Sequence, residues 1–324
     1  MNNLRFIDLF AGIGGFRLGL ESLGMECVYT SEWNKRAQEV YKMNFNETPD
    51  GDITKVKESD IPPHDILCGG FPCQAFSVAG KRLGFNDTRG TLFFDVARIV
   101  KYHRPSVVFL ENVKNFLGHD SGRTMQTVKA TLEDLGYSVS FKVLRSSDYG
   151  VPQARERVFI IGVYGRNENF IFPEAIRAQK VVDDILLDLS QKEFKQLQIK
   201  RDDMFFYKDE KAVLNLRSPH QIGKINKGGQ GERIYSRFAA GITLSAYGGG
   251  AAAKTGAYKV GRRVRKLHPV ECLRMQGFPD NFKLGPSIVN TYQQLGNSVS
   301  VPVIKAVGKE ILSQVFIGEQ LKAS

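Results

Sequence analysis

The sequence has 324 residues, 42% of them hydrophobic and 24% charged, with a formal net charge of +11, an ordinary globular mix that permits one large domain or two moderate ones. Its longest apolar runs, such as Val107-Val108-Phe109-Leu110, are far too short to span a bilayer, and the opening MNNLRFIDLF lacks the basic, apolar and cleavage segments of an export signal. The cysteines (Cys27, Cys68, Cys73 and Cys272) have no CxxC spacing and are too sparse for a disulfide framework, so a reducing, cytoplasmic setting and no metal site are expected.

Apolar runs at 5–9, 27–31, 65–68, 107–110, 138–144 and 158–163 predict strands. Between them, 16–23, 35–45, 92–102 and 125–135 carry apolar residues at helical spacing. The first of these helices runs into Gly24 and the last into Gly136, both helix-stop residues. Strand and helix in repetition predict an α/β fold with a doubly wound, mostly parallel sheet. Only a short stretch containing Tyr149-Gly150-Val151-Pro152 separates the last two strands, too little for a helical crossover, so one strand near a sheet edge should be reversed.

Beyond residue 185 glycines crowd in, as in KGGQGER and SAYGGGAAAKTGAY, and strand-like pieces at 233–236 and 241–245 are short. From Lys211 to Lys266 twelve Lys or Arg face a single acid, Glu232, so this stretch of the chain carries as much net charge as the whole. A basic segment on a near-neutral body is the signature of a polyanion-binding module; a solubilising surface is the alternative. Helical periodicity resumes at 269–275, and 302–316 reads as one amphipathic helix. The expected division is 1–185, a smaller basic domain at 186–268, a hinge at 269–296, and a segment at 297–324 that returns to the first domain.

The turn DLFAGIGGF follows the first strand, and Gly12, Gly14 and Gly15 allow a tight turn and close approach to a ligand. Glu32, after the second strand, can accept from ribose hydroxyls, and Asp52 from an adenine amino group. Trp33 offers a stacking face, or packs in the core. The glycines miss the full GxGxxG pattern, which suits an adenosine ligand without a pyrophosphate better than a dinucleotide.

Cys73 follows the third strand in GGFPCQAFS, after Pro72, and Glu111 follows the fourth in LENV. The reversed strand begins with QARER, which by its period of two sets Gln153, Arg155 and Arg157 on one side. All these groups fall on one sheet edge, where ligands of open α/β sheets collect. Cys68 reads as a small buried hydrophobe. Cys73 differs, because nearby arginines would raise its thiolate fraction. Glu111 is either a partner to that sulfur or a plain surface acid. A thiolate, a carboxyl, arginines and an adenosine ligand beside a basic domain match methyl transfer to a pyrimidine carbon, with the base turned out of its helix.

DLFAGIGG, GFPCQAFS, ENVKNF, QARERVF, RKLHPVECLRMQGFPDNF and QQLGNSVSVPV together resemble the motifs of the DNA (cytosine-5) methyltransferase family, in its order and over nearly the full length. The resemblance implies a catalytic and cofactor-binding domain at 1–185 and a target-recognition domain at 186–268. It implies Cys73 as nucleophile, Glu111 as partner of ring nitrogen 3, and Arg155 and Arg157 holding the target base and a nearby phosphate. Phe10, Ala11, Gly12, Ile13, Gly14, Gly15, Glu32, Trp33, Asp52, Ile53, Pro72, Leu92, Asn297 and Ser298 would contact S-adenosylmethionine, which leaves as S-adenosylhomocysteine.

Within the recognition region, KGGQGERIYS and SAYGGG resemble the loops of a family member that acts on GCGC. By that likeness Arg233 would read a guanine edge, and Gln230 would fill the hole left by the flipped base. Tyr247, Gly248, Gly249 and Gly250 would allow close backbone approach, and Lys81, Arg82 and Arg89 would meet phosphates. Ala79 stands where that member has a serine. Double-stranded DNA is the implied partner of a monomeric enzyme, with a cognate restriction endonuclease acting on the same site. The alternatives are a tRNA cytosine methyltransferase on the same catalytic domain, a non-catalytic DNA-binding relative, and a dinucleotide-dependent oxidoreductase suggested by the first turn alone.

Overall fold

The computed structural model describes residues 4–72 and 92–317. Its first half alternates strand and helix: β1 (Arg5–Leu9), α1 (Gly15–Glu21), β2 (Glu26–Ser31), α2 (Lys35–Phe45), β3 (Ile66–Gly69), α3 (Leu92–His103), β4 (Val107–Val113), α4 (Arg123–Asp134), β5 (Tyr137–Arg145) and β6 (Glu156–Tyr164). The six strands form one sheet in the order β2-β1-β3-β4-β6-β5. β1 to β4 pair in parallel, and β6 runs antiparallel to both β4 and β5. The expected reversed strand is therefore β6, inserted one place in from the edge.

Alternation along the strands splits the core into two faces. Ile7, Leu9, Leu67, Val108 and Leu110 pack with α3 and α4, whereas Phe6, Cys68, Val107 and Phe109 pack with α1 and the late helix α8 (Val301–Ile311). Each such side chain, fully buried, contributes about 1.5–3 kcal/mol. The approach of α8 to α1 is close because Gly19 meets Ile304 and Gly308 meets Leu20 and Leu23 where side chains would otherwise stand.

The second half carries α5 (Gln191–Leu197) and a five-stranded sheet in the order β11-β10-β9-β8-β7, built from β7 (Met204–Phe206), β8 (Gln221–Ile225), β9 (Arg233–Ser236), β10 (Ala257–Val260) and β11 (Arg263–Arg265). Helices α6 (Pro269–Gln276) and α7 (Ile288–Asn297) follow. Arg265 at the end of β11 makes a fully buried two-pronged pair with Glu271 of α6, both contacts at 2.7 Å, which ties the second sheet to that helix. Among the described residues no helix is long and apolar enough to cross a membrane.

Three sequence expectations need correction. β4 runs on to Val113, because its ladder with β6 continues through Val113↔Arg157, so Glu111 lies inside the strand and not after it. Residues 241–245 form no strand: only Gly241 bridges, to Gln153, and the rest is extended chain whose polar groups are met by side chains. The final helix is not continuous over 302–316, since α8 ends at Ile311 and a π-helical turn covers Leu312–Ile317.

Candidate active site

The turn from β1 into α1 is tight: Phe10, Gly12 and Gly14 have φ of 61°, 58° and 89°. Nothing lies within 4 Å of where a Cβ on Gly12 would point, so this corner opens outward, whereas a Cβ on Gly14 would strike the Phe45 ring. Ala11 and Ile13, also expected at the ligand, are buried under the turn. The turn is tied to β2, since Ala11 N donates to Ser31 O at 2.9 Å and Gly12 N to Glu32 Oε2 at 2.8 Å. Asn34 N donates to Glu32 Oε1, also at 2.8 Å. Burial raises the Glu32 carboxyl above its ordinary range, and these backbone donors oppose the shift. Each carboxylate oxygen keeps acceptor capacity beyond its one N–H.

Trp33 is 76% exposed, which removes core packing as its role and leaves its face free beside Glu32. Asp52 accepts from the Thr54 hydroxyl at 2.8 Å and the Thr54 N–H at 3.1 Å, which lowers its carboxyl pKa, and Ile53 is buried behind it. Phe10 and Leu92 lie half-buried against the same core face. The chain after α7 reaches this corner too: a Cβ on Gly15 would come within 3.0 Å of Ser298 Oγ, and Asn297 is exposed next to it.

A second group gathers past the end of β3 and along the last residues of β4. Leu9, Gly69 and Leu110 stand level in the parallel ladders, where β1 and β3 finish and β4 runs on for three residues. After Gly69 the chain runs through Phe71, packed on Phe93 and Phe116, to exposed Pro72. Asn112 Nδ2 donates to Phe71 O at 2.9 Å and fixes this stretch just ahead of Cys73. Cys73 itself, with Lys81, Arg82 and Arg89, lies outside the described residues. Glu111, 8% exposed, pairs with Arg157 at 3.1 Å from Oε1 to Nε. The pair lacks hydrogen-bond alignment, and Glu111 Oε1 is a buried acceptor without a hydrogen-bond donor among the described residues.

Arg155 does not stand beside Arg157 in an open crevice. It is 2% exposed and donates to the carbonyls of Leu244 (3.4 Å), Gly296 (3.1 Å) and Ser298 (2.7 Å). Burial, with Arg157 nearby, pulls its guanidinium down to about 9, and Glu111 opposes the shift. Gln153 does similar work: its Nε2 donates to Met275 O at 3.0 Å and Gln276 Oε1 at 3.1 Å, and its Oε1 accepts from Leu244 N at 2.9 Å. Of the three alternating side chains of QARER, one therefore faces Glu111 and two join the recognition region and the end of α7 to the first sheet.

The recognition-loop residues Gln230, Arg233 and Tyr247 are exposed. Arg233 Nε has a long 3.4 Å contact to Gly228 O, and Tyr247 OH accepts from Gln293 at 3.2 Å. Gly248 and Gly250 have φ of 152° and 96°, and Gly249 has open space on its Cβ side. Sequence reasoning gave no part to Asn112, Gln276 or Gly296. Asn112 could have been found from its place beside Glu111 in LENV; the other two act on backbone and leave no local signal.

The model of the C-5 cytosine-specific DNA methylases matches residues 4–313. The chain belongs to that family. This methylase is 53% identical to the type II methyltransferase M.HhaI of Haemophilus parahaemolyticus, over 97% of the chain and 96% of the relative. It is 44% identical to M.SsoII of Shigella sonnei, over 95% of the chain and 80% of that protein. The crystal structure of S. pombe Dnmt2 methyltransferase shares the fold, with a TM-score of 0.73 at 18% identity, covering 97% of the methylase and 100% of that chain. The methylase is accordingly an enzyme of the type II cytosine-5 DNA methyltransferase class, of the restriction–modification type.

Proposed function

We propose that the methylase transfers a methyl group from S-adenosylmethionine to carbon 5 of a cytosine flipped out of a short duplex site, the inner cytosine of GCGC. The observation that carries the reading is Glu111: a buried acid, paired with Arg157, one of whose oxygens has no hydrogen-bond donor among the described residues, next in sequence to Asn112, which holds the backbone that leads into Cys73. A ring nitrogen that gains a proton as sulfur adds to the ring is the donor this oxygen lacks.

Carbon 5 of cytosine is a poor nucleophile. Cys73 adds through its sulfur to carbon 6 and makes carbon 5 enamine-like. Glu111 shares or gives a proton at nitrogen 3 and offsets the charge that builds in the ring. Arg157 holds the ring oxygen and keeps Glu111 in place. S-adenosylmethionine, when bound, supplies the electrophilic methyl and leaves as S-adenosylhomocysteine. Loss of the proton on carbon 5 then expels the Cys73 sulfur, so every bond made to the enzyme is broken again.

The corner between Gly12, Glu32 and Trp33 fits that cofactor. Glu32 has spare acceptor capacity for ribose hydroxyls, Trp33 a free aromatic face for adenine, and Asp52, Asn297 and Ser298 add polar groups around it. Arg233 and Gln230 would read bases, as the loop resemblance implies, with Tyr247 and Gly248 to Gly250 close to the backbone. Lys81, Arg82 and Arg89 would meet phosphates. Arg155 acts on the protein's own carbonyls and not on the base. The expected form is a cytoplasmic monomer on DNA, paired in the cell with an endonuclease of the same specificity.

Bisulfite sequencing of plasmid DNA from cells expressing the chain tests activity and target together. Methylation of the inner cytosine of GCGC is the expected result. A duplex carrying 5-fluorocytosine at that position should trap the wild type covalently, and Cys73→Ser should abolish the adduct. Absence of a trapped complex with the wild type would reject the mechanism.

A further inference from the structure

The loop between β8 and β9 contains a glycine that its own backbone does not require. Gly231 has φ −92° and ψ 15°, a conformation open to any residue. Its neighbours explain it. A Cβ on Gly231 would collide with the Gly249 carbonyl oxygen and come within 3.3 Å of Gly250 Cα. From the other side, a Cβ on Gly250 would meet Gly231 O at 2.9 Å. Ala252 N, in a residue 1% exposed, donates to Gly231 O at 2.8 Å. Two loops far apart in sequence are thus in backbone contact at a point where neither tolerates a side chain.

The second loop is itself held to the catalytic sheet. Leu244 bonds through its N–H to Gln153 and through its carbonyl to Arg155. Ser245 and Ala246 lie against Gly296, where a Cβ would strike the Ala246 nitrogen. Ser245 N donates to Lys254 O at 2.9 Å and closes the loop on itself. Among the described residues the first loop has no such tie of its own: Glu232 braces it internally, by accepting from Gly229 N and Asn226 Nδ2. Gln230 precedes Gly231 directly, and Arg233 follows it by two residues.

We propose that Gly231 is a specificity-determining residue of this methylase: its missing side chain lets the first loop seat on Gly249 and Gly250, and that contact sets where Gln230 and Arg233 stand relative to the catalytic edge. The inference rests on the reading of these loops as the DNA-reading surface. A methyl group at position 231 pushes the two loops apart, which displaces Gln230 and Arg233 without removing any proposed base-contacting side chain. Discrimination between sites then falls because the geometry of reading is lost, not because a reading group is.

The test compares the full-length wild type with Gly231→Ala. Plasmid bisulfite sequencing of the wild type first fixes the methylated site, whatever it is. Methyl-transfer kinetics follow on a duplex carrying that site and on duplexes with one base pair changed. In the variant, kcat/KM on the wild-type site should fall about tenfold or more, and the preference for it over altered sites should narrow about tenfold. Thermal unfolding, and S-adenosylmethionine binding read by quenching of Trp33, the only tryptophan, should stay as in the wild type. Unchanged kinetics, or an equal loss on every duplex with the preference intact, overturns the proposal.

A second measurement needs no variant: in DNA-free wild type the Ala252 amide should exchange its hydrogen slowly. Exchange at the rate of an open loop overturns the contact, and the proposal with it, even if Gly231→Ala fails to fold. A wild type that methylates no DNA at all would sink the proposed function instead, and amide exchange would still decide whether the contact exists.

Discussion

Arg157 Nε stands 3.1 Å from Glu111 Oε1, diagonally across an antiparallel ladder in which Glu111 is opposite Phe159 and Arg157 opposite Val113, yet the pair is not a well-formed hydrogen bond. The acid keeps a buried oxygen to which no donor among the described residues is hydrogen-bonded. Glu111→Gln preserves size and removes the acid. The methyl-transfer rate in a single turnover should fall about 10²- to 10⁴-fold, with DNA affinity little changed. An undiminished rate would remove Glu111 from the chemistry.

Arg155→Ala should act on stability. The substitution strips the buried carbonyls of Leu244 and Gly296 of the Arg155 donor and leaves Ser298 O with only a 3.3 Å bond from Gln276 Nε2. A loss of roughly 3–5 kcal/mol is expected from these bonds to a charged donor and the stranded acceptors. Urea denaturation measures it. Lysine at the same position keeps the charge but not the planar fork, so it should recover only part of the loss. A variant as stable as the wild type would show that the junction is held elsewhere.

These junction residues mark where reading the sequence stopped. The first half was legible because its signals are local: β1 falls on the expected residues, and α2 spans the predicted Lys35–Phe45. In the second half β9 also falls on the expected residues. The reversed strand was legible from loop length alone. Residues 241–245 were misread because Ile242 and Leu244 alternate with polar residues as in a strand. Their polar backbone is satisfied by Tyr258, Gln153 and Arg155, which no local pattern announces. Arg155 and Arg157 share a period-two face in the sequence, but the strand begins only at Glu156, so alternation carries no information about where Arg155 points.

Arg233→Ala should relax discrimination at one guanine. The expected cost is about 1–3 kcal/mol in cognate affinity, read as the ratio of cognate to single-mismatch binding in filter or fluorescence assays. A uniform weakening across sequences would make Arg233 a phosphate contact.

His64 predicts an acid-side loss of stability. Burial lowers its pKa from 6.5 to about 4, with the His103 ring 4.8 Å away and Arg5 acting in the same sense against Asp65 and the Pro62 carbonyl. The unfolded chain takes the proton first as pH falls, so the contribution is complete above about 6.5 and drains away towards about 4, where it reaches on the order of 3 kcal/mol. His64→Gln should flatten that part of the stability–pH curve in chemical denaturation. A curve of unaltered slope between those limits would place the acid sensitivity in other groups.

The packing of α8 against α1 has a bearing on biosynthesis. Gly19 and Ile304 lie nearly three hundred residues apart along the chain yet close one face of the first sheet together. A ribosome that has released the whole first sheet has therefore delivered it with one face covered only in part, by α1. The rest of that apolar surface waits for a helix made nearly three hundred residues after α1, and it is the stretch on which chaperones, or aggregation, would act during translation.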